Sequence, residues 1–491
     1  MKTIPNDCTL GSVKLAVRKF TTDKLLRFIG KTTAAWAKED NGNFRGQAKR
    51  IDVSLSAGNV IHTQSVLVSS WKLLDVAYYS ILYSNDHRGK CIETEEELAI
   101  LAGVVGSYIE RIESERLSHM SKVDVLYHLQ GFAGEQFFYQ AEGKSISNAA
   151  RDLFIITRCL KQSMCSEIQT IFRERMGCEP QEVVKYLLLA WFVSTLTPKL
   201  QDIDNYFKIE QEYLEQYYSI IDYYTLNYDQ IKKSSMERQV FYTKPFVETT
   251  RGEIICFNPA LCLHLLEHSV LWIARDYYNE HNSNSLVNAF GEGFECYLEQ
   301  LLNYHLTNDQ FKRIAVEKCK RADWELEIEG FSFLVEQKSG LLGLDAKQQL
   351  PSIEQIEKYF KKTVLKAYNQ LVETERARSK KYVKIVLMYE DYLDSDLLNV
   401  ILFSKDSGIQ NDGYFWYVSI QEFELLLELY SQSPASFVEI VNSKIQKEIA
   451  NENEGKSLLH LISECSKEGH SSLLDETIEQ MTNYNTIIKN K

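Results

Sequence analysis

The chain has 491 residues, of which 44% are hydrophobic and 25% are charged, and its formal net charge is −13 at pH 7. These proportions are typical of a globular protein, and the length exceeds that of one ordinary core, so we expect two or three domains. The acidic balance argues against nucleic acid coating the whole surface. No apolar run approaches the roughly 18–20 residues that cross a membrane.

The cysteines and the N-terminus bear on the compartment. The ten cysteines are scattered without a CxxC pair, and the first residues include no apolar stretch typical of a signal peptide. We therefore expect a reduced, cytoplasmic protein without a zinc site and without membrane association.

The first half of the chain is mostly helical in its pattern. Short strands are suggested at 12–20 and 50–55, and helical periodicity then dominates from residue 70 to about 232. A tyrosine-rich stretch at 206–228 is interpreted as rings packed in helical interfaces, with base stacking as the rarer alternative. We assign residues 1–235 to a mostly helical regulatory or sensing region, through which a protein partner or a second copy of the chain could bind.

Beyond residue 235, strand patterns alternate with helical ones. The predicted helices are at 259–278, 285–305, 353–378 and 421–430, and the predicted strands include 382–389, 398–403 and 414–419. This order predicts an α/β domain at 236–430, with a core at 285–420 in which helices flank a central mixed sheet. Residues 431–491 form a helical tail. The fold class is therefore α+β overall.

Residues 321–340 contain the most informative pattern, a predicted β-hairpin. Gly330 can adopt the positive φ that a tight turn at Glu329-Gly330 requires. Three apolar pairs then stack on one side, namely Ile328 with Phe331, Leu326 with Phe333 and Trp324 with Val335. The same register places Asp323 opposite Glu336, with Lys338 on the same face. Two adjacent carboxylates repel each other unless a cation lies between them, so the cluster indicates metal chemistry.

These residues resemble the PD-(D/E)xK nuclease superfamily, the restriction-endonuclease-like fold. Asp323, a spacer and Glu336-Gln337-Lys338 correspond to its acid and acid-x-Lys, although Ala322 stands where the name has proline. Phe-Gly-Glu-Gly-Phe-Glu at 290–295 places Glu295 where the family often has a further glutamate. Lys366 and Gln370 lie one turn apart on the following basic helix, as in many members.

The resemblance implies a role for each residue. Asp323, Glu336 and the backbone carbonyl of Gln337 would bind Mg²⁺ or Mn²⁺, and Lys338 would orient the attacking water or stabilise charge on the phosphate. Glu295 would hold a second metal ion or its bound water. Lys366 and Gln370, with Lys362 on the same helix, would bind the nucleic-acid backbone.

The implied function is a Mg²⁺-dependent endonuclease, with DNA a better candidate substrate than RNA, as in prokaryotic restriction or anti-phage nucleases. Two alternatives stay open: a nucleic-acid-binding or sensor protein that uses the fold without catalysis, and an RNA-cleaving effector. In the plainest interpretation, Glu336 and Lys338 form a surface ion pair and Glu295 is solvated. The sequence predicts no ATP use by this chain, because it contains no Gly-x-x-x-x-Gly-Lys-Ser/Thr loop.

Overall fold

The chain folds into a mixed α+β structure, which confirms the predicted fold class. The computed structural model describes residues 7–39, 48–57, 60–83, 86, 89–121, 124–129, 144–315, 321–340, 353–390, 395–403, 412–450, 457–466, 469–484 and 488–489. Among the helices in these ranges, none combines the length and the apolar character needed to cross a membrane.

The N-terminal elements are helices with one long antiparallel hairpin. Their bounds are α1 Leu10–Val17, α2 Thr22–Glu39, β1 Ala48–Ala57, β2 Val60–Ser69, α3 Ser70–Leu82, α4 Glu95–Leu117, α5 at 124–129, α6 Lys144–Phe154, α7 Gln162–Met176 and α8 Pro180–Leu196. The strand expected at 50–55 is confirmed as part of β1. The strand expected at 12–20 is wrong, because Thr9 caps a helix whose buried Val13, Ala16 and Val17 share one face.

Short strands and helices of varied length connect this half to the second half of the chain. They are β3 Lys208–Ile209, α9 Gln211–Tyr223, β4 Thr225–Asn227, α10 Tyr228–Lys233, α11 Val240–Thr243, β5 Phe246–Glu248, β6 Ile254–Cys256 and α12 Pro259–Glu280. In the tyrosine-rich stretch, Tyr217, Tyr224 and Tyr228 are buried. Burial of these rings agrees with the packing interpretation.

The second half contains the predicted mixed sheet. Its elements are α13 Ser285–His305, β7 Phe311–Arg313, β8 Trp324–Ile328, β9 Phe331–Lys338, α14 Ile353–Phe360, α15 Lys366–Arg378, β10 Val383–Met388, α16 Ser395–Leu402, β11 Phe415–Ser419, α17 Ile420–Gln432, α18 Pro434–Ala450, α19 Leu458–Ser463, α20 Asp475–Thr482 and β12 Ile488–Lys489. The strand order is β11-β10-β9-β8-β7, with β10 parallel to both neighbours and the other pairs antiparallel.

One predicted strand of this half is wrong. All but the last of residues 398–403 lie in helix α16, where Leu398 and Leu402 are buried one turn apart and Val400 is exposed. The apolar run is short, and such runs are compatible with either a strand or a helix until their packing partners are known.

The hairpin of β8 and β9 has the predicted register. Ile328 pairs with Phe331, Leu326 with Phe333 and Trp324 with Val335. Glu329 and Gly330 form the connection, with φ values of 48° and 79°. A two-residue loop with positive φ at both positions is the type I′ geometry, whose twist matches that of the strands.

Apolar side chains cover both faces of the sheet. Trp324, Phe333 and Val335 belong to a core shared with α13, whereas Leu334 and Val386 face a second core with α14 and α15. Burial on both faces explains the uninterrupted apolar runs Phe333–Val335 in β9 and Ile385–Met388 in β10. The two helices predicted to flank the sheet therefore do so, with a π-helical turn at Lys361–Leu365 between α14 and α15.

The buried cores cross the predicted domain limits. The core on the α13 face also contains buried residues of α6, α7 and α8 from the N-terminal half, and of α18, α19 and α20 from the tail. A separate core unites α1–α4 with residues 228–261. The limits at 235 and 430 stay a prediction, but the apolar contacts join the sheet to helices on either side of them.

A buried ion pair reinforces this junction. Arg151 of α6 makes two hydrogen bonds to Glu424 of α17, at 2.6 and 2.7 Å, and the two side chains are 2% and 0% exposed. Tyr297 of α13 donates a hydrogen bond of 2.5 Å to the same carboxylate. Because a buried charge is costly without such partners, the three helices are held in one arrangement.

The turn at Gly330 yields the first testable prediction. An added Cβ at Gly330 meets no atom within 4 Å, so Gly330→Ala should lose about 1 kcal/mol of stability through its positive φ alone. Gly469 is the matched control, because it also meets nothing within 4 Å and its φ is not positive. Thermal unfolding should therefore show a lower melting temperature for Gly330→Ala than for wild type, and no decrease for Gly469→Ala. Equal melting temperatures would contradict the strained turn.

Candidate active site

Asp323 and Glu336 lie side by side at the end of the β8–β9 hairpin, as the register predicts. The Asp323 N–H donates a hydrogen bond of 3.0 Å to the carbonyl of Val335, the residue that pairs with Trp324, so Asp323 stays against β9 just beyond the regular pairing. The Gln337 N–H donates to Asp323 Oδ2 at 2.9 Å. The Asp323 carboxylate is thus held against the Glu336–Gln337 segment by the backbone of the neighbouring strand.

Glu336 is buried with one oxygen unpartnered. Lys338 Nζ donates to Glu336 Oε1, and the two side chains are 3% (Glu336) and 15% (Lys338) exposed. Glu336 Oε2 is buried and accepts no hydrogen bond from an N–H or O–H group of the described residues, and the Glu336 and Asp323 carboxyls are close enough to share a proton. This burial argues against a plain surface ion pair, because an unsatisfied buried carboxylate oxygen costs on the order of 1–3 kcal/mol or more.

Burial and mutual repulsion raise the pKa of both acids. The pKa of Glu336 rises from 4.5 to about 7, chiefly because of burial and then because of the Asp323 charge, while Lys338 and Lys366 oppose the shift. Burial also raises the pKa of Asp323, against the lowering effects of the Gln337 N–H and Lys338. A pair of acids with raised pKa values in a protein's interior is typical of functional sites.

Helix α15 holds the other side of the cluster. Gln370 accepts a hydrogen bond of 3.5 Å from Lys338 Nζ through Oε1 and donates one of 3.2 Å to the Arg321 carbonyl. Thr374 Oγ1 accepts from the Ala322 N–H at 2.9 Å. Gln370 therefore orients Lys338 and the backbone before Asp323, and the phosphate contact expected of Gln370 stays a prediction.

The two lysines expected to bind nucleic acid lie on the surface of the same helical segment. Lys362 and Lys366 are both exposed, and the charge of Lys366 is close enough to lower the pKa of Glu336. Lys366 thus lies beside the acidic cluster. Lys362 lies in the π-helical turn, a distortion frequent at functional sites.

Glu295 lies near the cluster, but its carboxylate is already paired with an arginine side chain. It forms an ion pair with Arg313 of β7. Burial raises the pKa of Glu295, Arg313 lowers it, and the Asp323 charge raises it. Glu295 and Asp323 are therefore electrostatic neighbours, although Arg313 occupies the Glu295 carboxylate.

The residues fit a hard divalent cation with few protein ligands. Within the described ranges, no group of three or more His, Cys, Asp and Glu side chains is placed to hold a metal ion. Asp323 and Glu336 nevertheless offer two carboxylates, and the Oε2 atom of Glu336 needs a partner. Mg²⁺ is commonly bound by one or two carboxylates and otherwise by water, so this donor set suits it.

Two contributors to the site have no local sequence signal. The guanidinium carbon of Arg313 lies 5.9 Å from the centroid of the Trp324 ring, and Arg313 forms an ion pair with Glu295. Thr374 accepts a hydrogen bond from the backbone N–H of Ala322, which directly precedes Asp323. Each acts on residues far away in sequence, and neither belongs to a motif. The basic character of the helix that contains Thr374 is the one sequence feature that relates this residue to the site.

No family model, curated protein or solved structure matches the chain significantly. Membership of the nuclease superfamily is therefore not shown.

The raised pKa of Glu336 predicts how stability depends on pH without metal. A carboxyl group whose pKa is higher in the folded chain than in the unfolded chain binds its proton more tightly when folded. Stability should therefore fall as the pH rises from about 4.5 to about 7, by at most on the order of 3 kcal/mol, and then level off. Glu336→Gln should not lose this contribution.

Melting temperatures of the two proteins between pH 5 and 8 in EDTA measure this effect. The difference should grow in favour of Glu336→Gln up to about pH 7. Glu327→Gln is the control, since Glu327 is on the same hairpin and pairs at the surface with Lys380. Parallel curves for wild type and Glu336→Gln would contradict the raised pKa.

Proposed function

We propose that the chain is a metal-dependent phosphodiesterase, an endonuclease acting on DNA. The observation that carries the proposal is the buried carboxylate pair, in which Glu336 Oε2 receives no hydrogen bond from a described N–H or O–H group and the Asp323 carboxyl lies beside it. Lys338 and Gln370 complete the cluster on its other side. The PD-(D/E)xK resemblance accounts for each of these residues with one chemistry.

Phosphodiester hydrolysis requires neutralisation of negative charge at the phosphate. When bound, Mg²⁺ supplies this stabilisation. Asp323 and Glu336 would hold the ion, together with the Gln337 carbonyl. Lys338 is more exposed than Glu336 and can donate to a phosphate oxygen or to the attacking water, while Gln370 limits the positions of its ammonium group.

Exposed lysines beside the cluster favour a polyanionic substrate. Lys362 and Lys366 are exposed on the helical segment that contacts β9, and an ammonium group on such a surface attracts phosphates. The net charge of −13 opposes tight binding by the free chain. We therefore propose that a protein partner or a second copy of the chain assists substrate binding.

The biological setting is also part of the proposal. A nuclease-like sheet joined to a helical region of comparable length is typical of prokaryotic restriction and anti-phage nucleases, which act in the cytoplasm. This association rests on architecture alone.

A second candidate function is nucleic-acid binding without cleavage. The ion pair between Glu295 and Arg313 favours it, because it removes one carboxylate from the expected catalytic set. The two candidate functions differ in whether bound nucleic acid is cleaved at the metal site.

Cleavage assays test the proposal directly. The full chain is incubated with supercoiled plasmid, linear duplex DNA or single-stranded RNA, in Mg²⁺, Mn²⁺ or EDTA. DNA should be cut only with metal, and Asp323→Asn and Lys338→Ala should each reduce the rate by about 10²-fold or more, since each removes charge stabilisation at the phosphate.

Glu327→Gln and Lys380→Ala serve as matched controls, because Glu327 of the same hairpin forms an exposed ion pair with Lys380, which lies between α15 and β10. Both should cut DNA at the wild-type rate. Cleavage of RNA alone would assign the chain to the RNA-cleaving alternative. Metal-dependent binding of DNA or RNA that requires Asp323, without cleavage of any substrate, would establish the binding function instead.

A further inference from the structure

Tyr389, which directly follows β10, contacts the last residue of the strand that carries Glu336 and Lys338. Its N–H donates a hydrogen bond of 3.0 Å to the Lys338 carbonyl. This bond extends the parallel pairing of β9 and β10, in which Lys338 lies opposite Met388. The position of the Tyr389 main chain therefore influences the direction in which Lys338 leaves the sheet.

The Tyr389 ring is packed against helix α13. It meets Phe290 and Phe294 edge to face, with ring centroids 4.7 and 5.2 Å apart. Phe294 immediately precedes Glu295, the remaining acid near the cluster. One side chain thus contacts the helix that carries Glu295, while its backbone holds Lys338.

The Tyr389 hydroxyl is fixed by a residue from the N-terminal half. It donates a hydrogen bond to Asp152 Oδ1 of α6, and Tyr389 and Asp152 are 4% and 0% exposed. Burial and the Asp152 charge raise the pKa of Tyr389, so the hydroxyl keeps its proton and acts as the donor. A buried hydroxyl without an acceptor is unfavourable, so Asp152 restricts the ring to this position.

We infer that Tyr389 is a positioning residue for the candidate active site and that Asp152 of helix α6 holds it in place. The inference rests on the proposed function for the meaning of the site, but the contacts themselves can be tested separately. It gives the N-terminal helices a physical connection to Lys338, because displacement of α6 removes the acceptor of the Tyr389 hydroxyl.

Tyr297 provides a matched control within the same fold. It is also a buried tyrosine whose hydroxyl donates to a buried carboxylate, in this case Glu424. It lies on α13, and no described hydrogen bond joins it to β9. Removing its hydroxyl should therefore disturb packing to a similar degree without affecting the end of β9.

The test compares Tyr389→Phe, Asp152→Leu, Asp152→Asn and Tyr297→Phe in the full chain by two measurements. Hydrogen–deuterium exchange measured by mass spectrometry reports peptides that cover residues 331–338 and 383–390. Calorimetric titration with Mn²⁺ reports the metal affinity. Asp152→Asn is the conservative variant, because its amide oxygen can still accept from the Tyr389 hydroxyl.

Tyr389→Phe and Asp152→Leu should exchange faster in both peptides and bind Mn²⁺ about tenfold more weakly, which corresponds to about 1.4 kcal/mol. Asp152→Asn and Tyr297→Phe should match wild type in both measurements, even if their melting temperatures fall. Exchange in Tyr389→Phe equal to that in Tyr297→Phe would overturn the inference. If wild type binds no Mn²⁺, the proposed function fails, and the exchange data alone decide whether Tyr389 positions the strand.

Discussion

The side-by-side placement of Asp323 and Glu336 is the constraint on which the rest of the site depends. It follows from a two-residue turn with positive φ at Glu329 and Gly330, because that turn fixes which residues of β8 and β9 face each other. A shift of one residue would turn Glu336 toward the opposite face of the sheet. Burying the two carboxylates there costs free energy, since apolar cores cover both faces of the sheet.

The contacts around Asp323 and Glu336 offset the free-energy cost of burying their carboxylates only in part. Lys338 neutralises one oxygen of Glu336, and the backbone of Gln337 and helix α15 hold the strand ends. The second oxygen of Glu336 is buried and receives no hydrogen bond from a described N–H or O–H group, and the pKa of the side chain rises to about 7. A divalent cation would satisfy that oxygen and also relieve the repulsion from Asp323. The same interactions that strain the metal-free site would therefore favour metal binding.

The N-terminal half takes part in the structure of the site. Helix α6 contributes Arg151 to the buried pair with Glu424 and Asp152 to the bond with Tyr389. Both contacts lie in the core that packs against α13 and β9. A regulatory role for the N-terminal half, predicted from its lack of catalytic motifs, thus has a route to the site through consecutive residues of one helix.

The sequence was sufficient for the parts of the fold that local patterns determine. The hairpin register and the bounds of α13 were predicted correctly, because alternation, turn chemistry and helical spacing all agreed there. The strands expected at 12–20 and 398–403 were wrong, since short apolar runs acquire their conformation from capping and packing. The contacts of Arg313 with Glu295 and of Asp152 with Tyr389 join distant parts of the chain, so no local pattern indicates them.

A crystal structure of the full chain soaked in Mn²⁺, with anomalous diffraction data, tests the central claim most directly. The account predicts an anomalous peak coordinated by the carboxylates of Asp323 and Glu336, and no peak there in crystals of Asp323→Asn. A wild-type site without a peak at millimolar Mn²⁺, in which Glu336 contacts only Lys338, would contradict the proposed metal site and the function built on it.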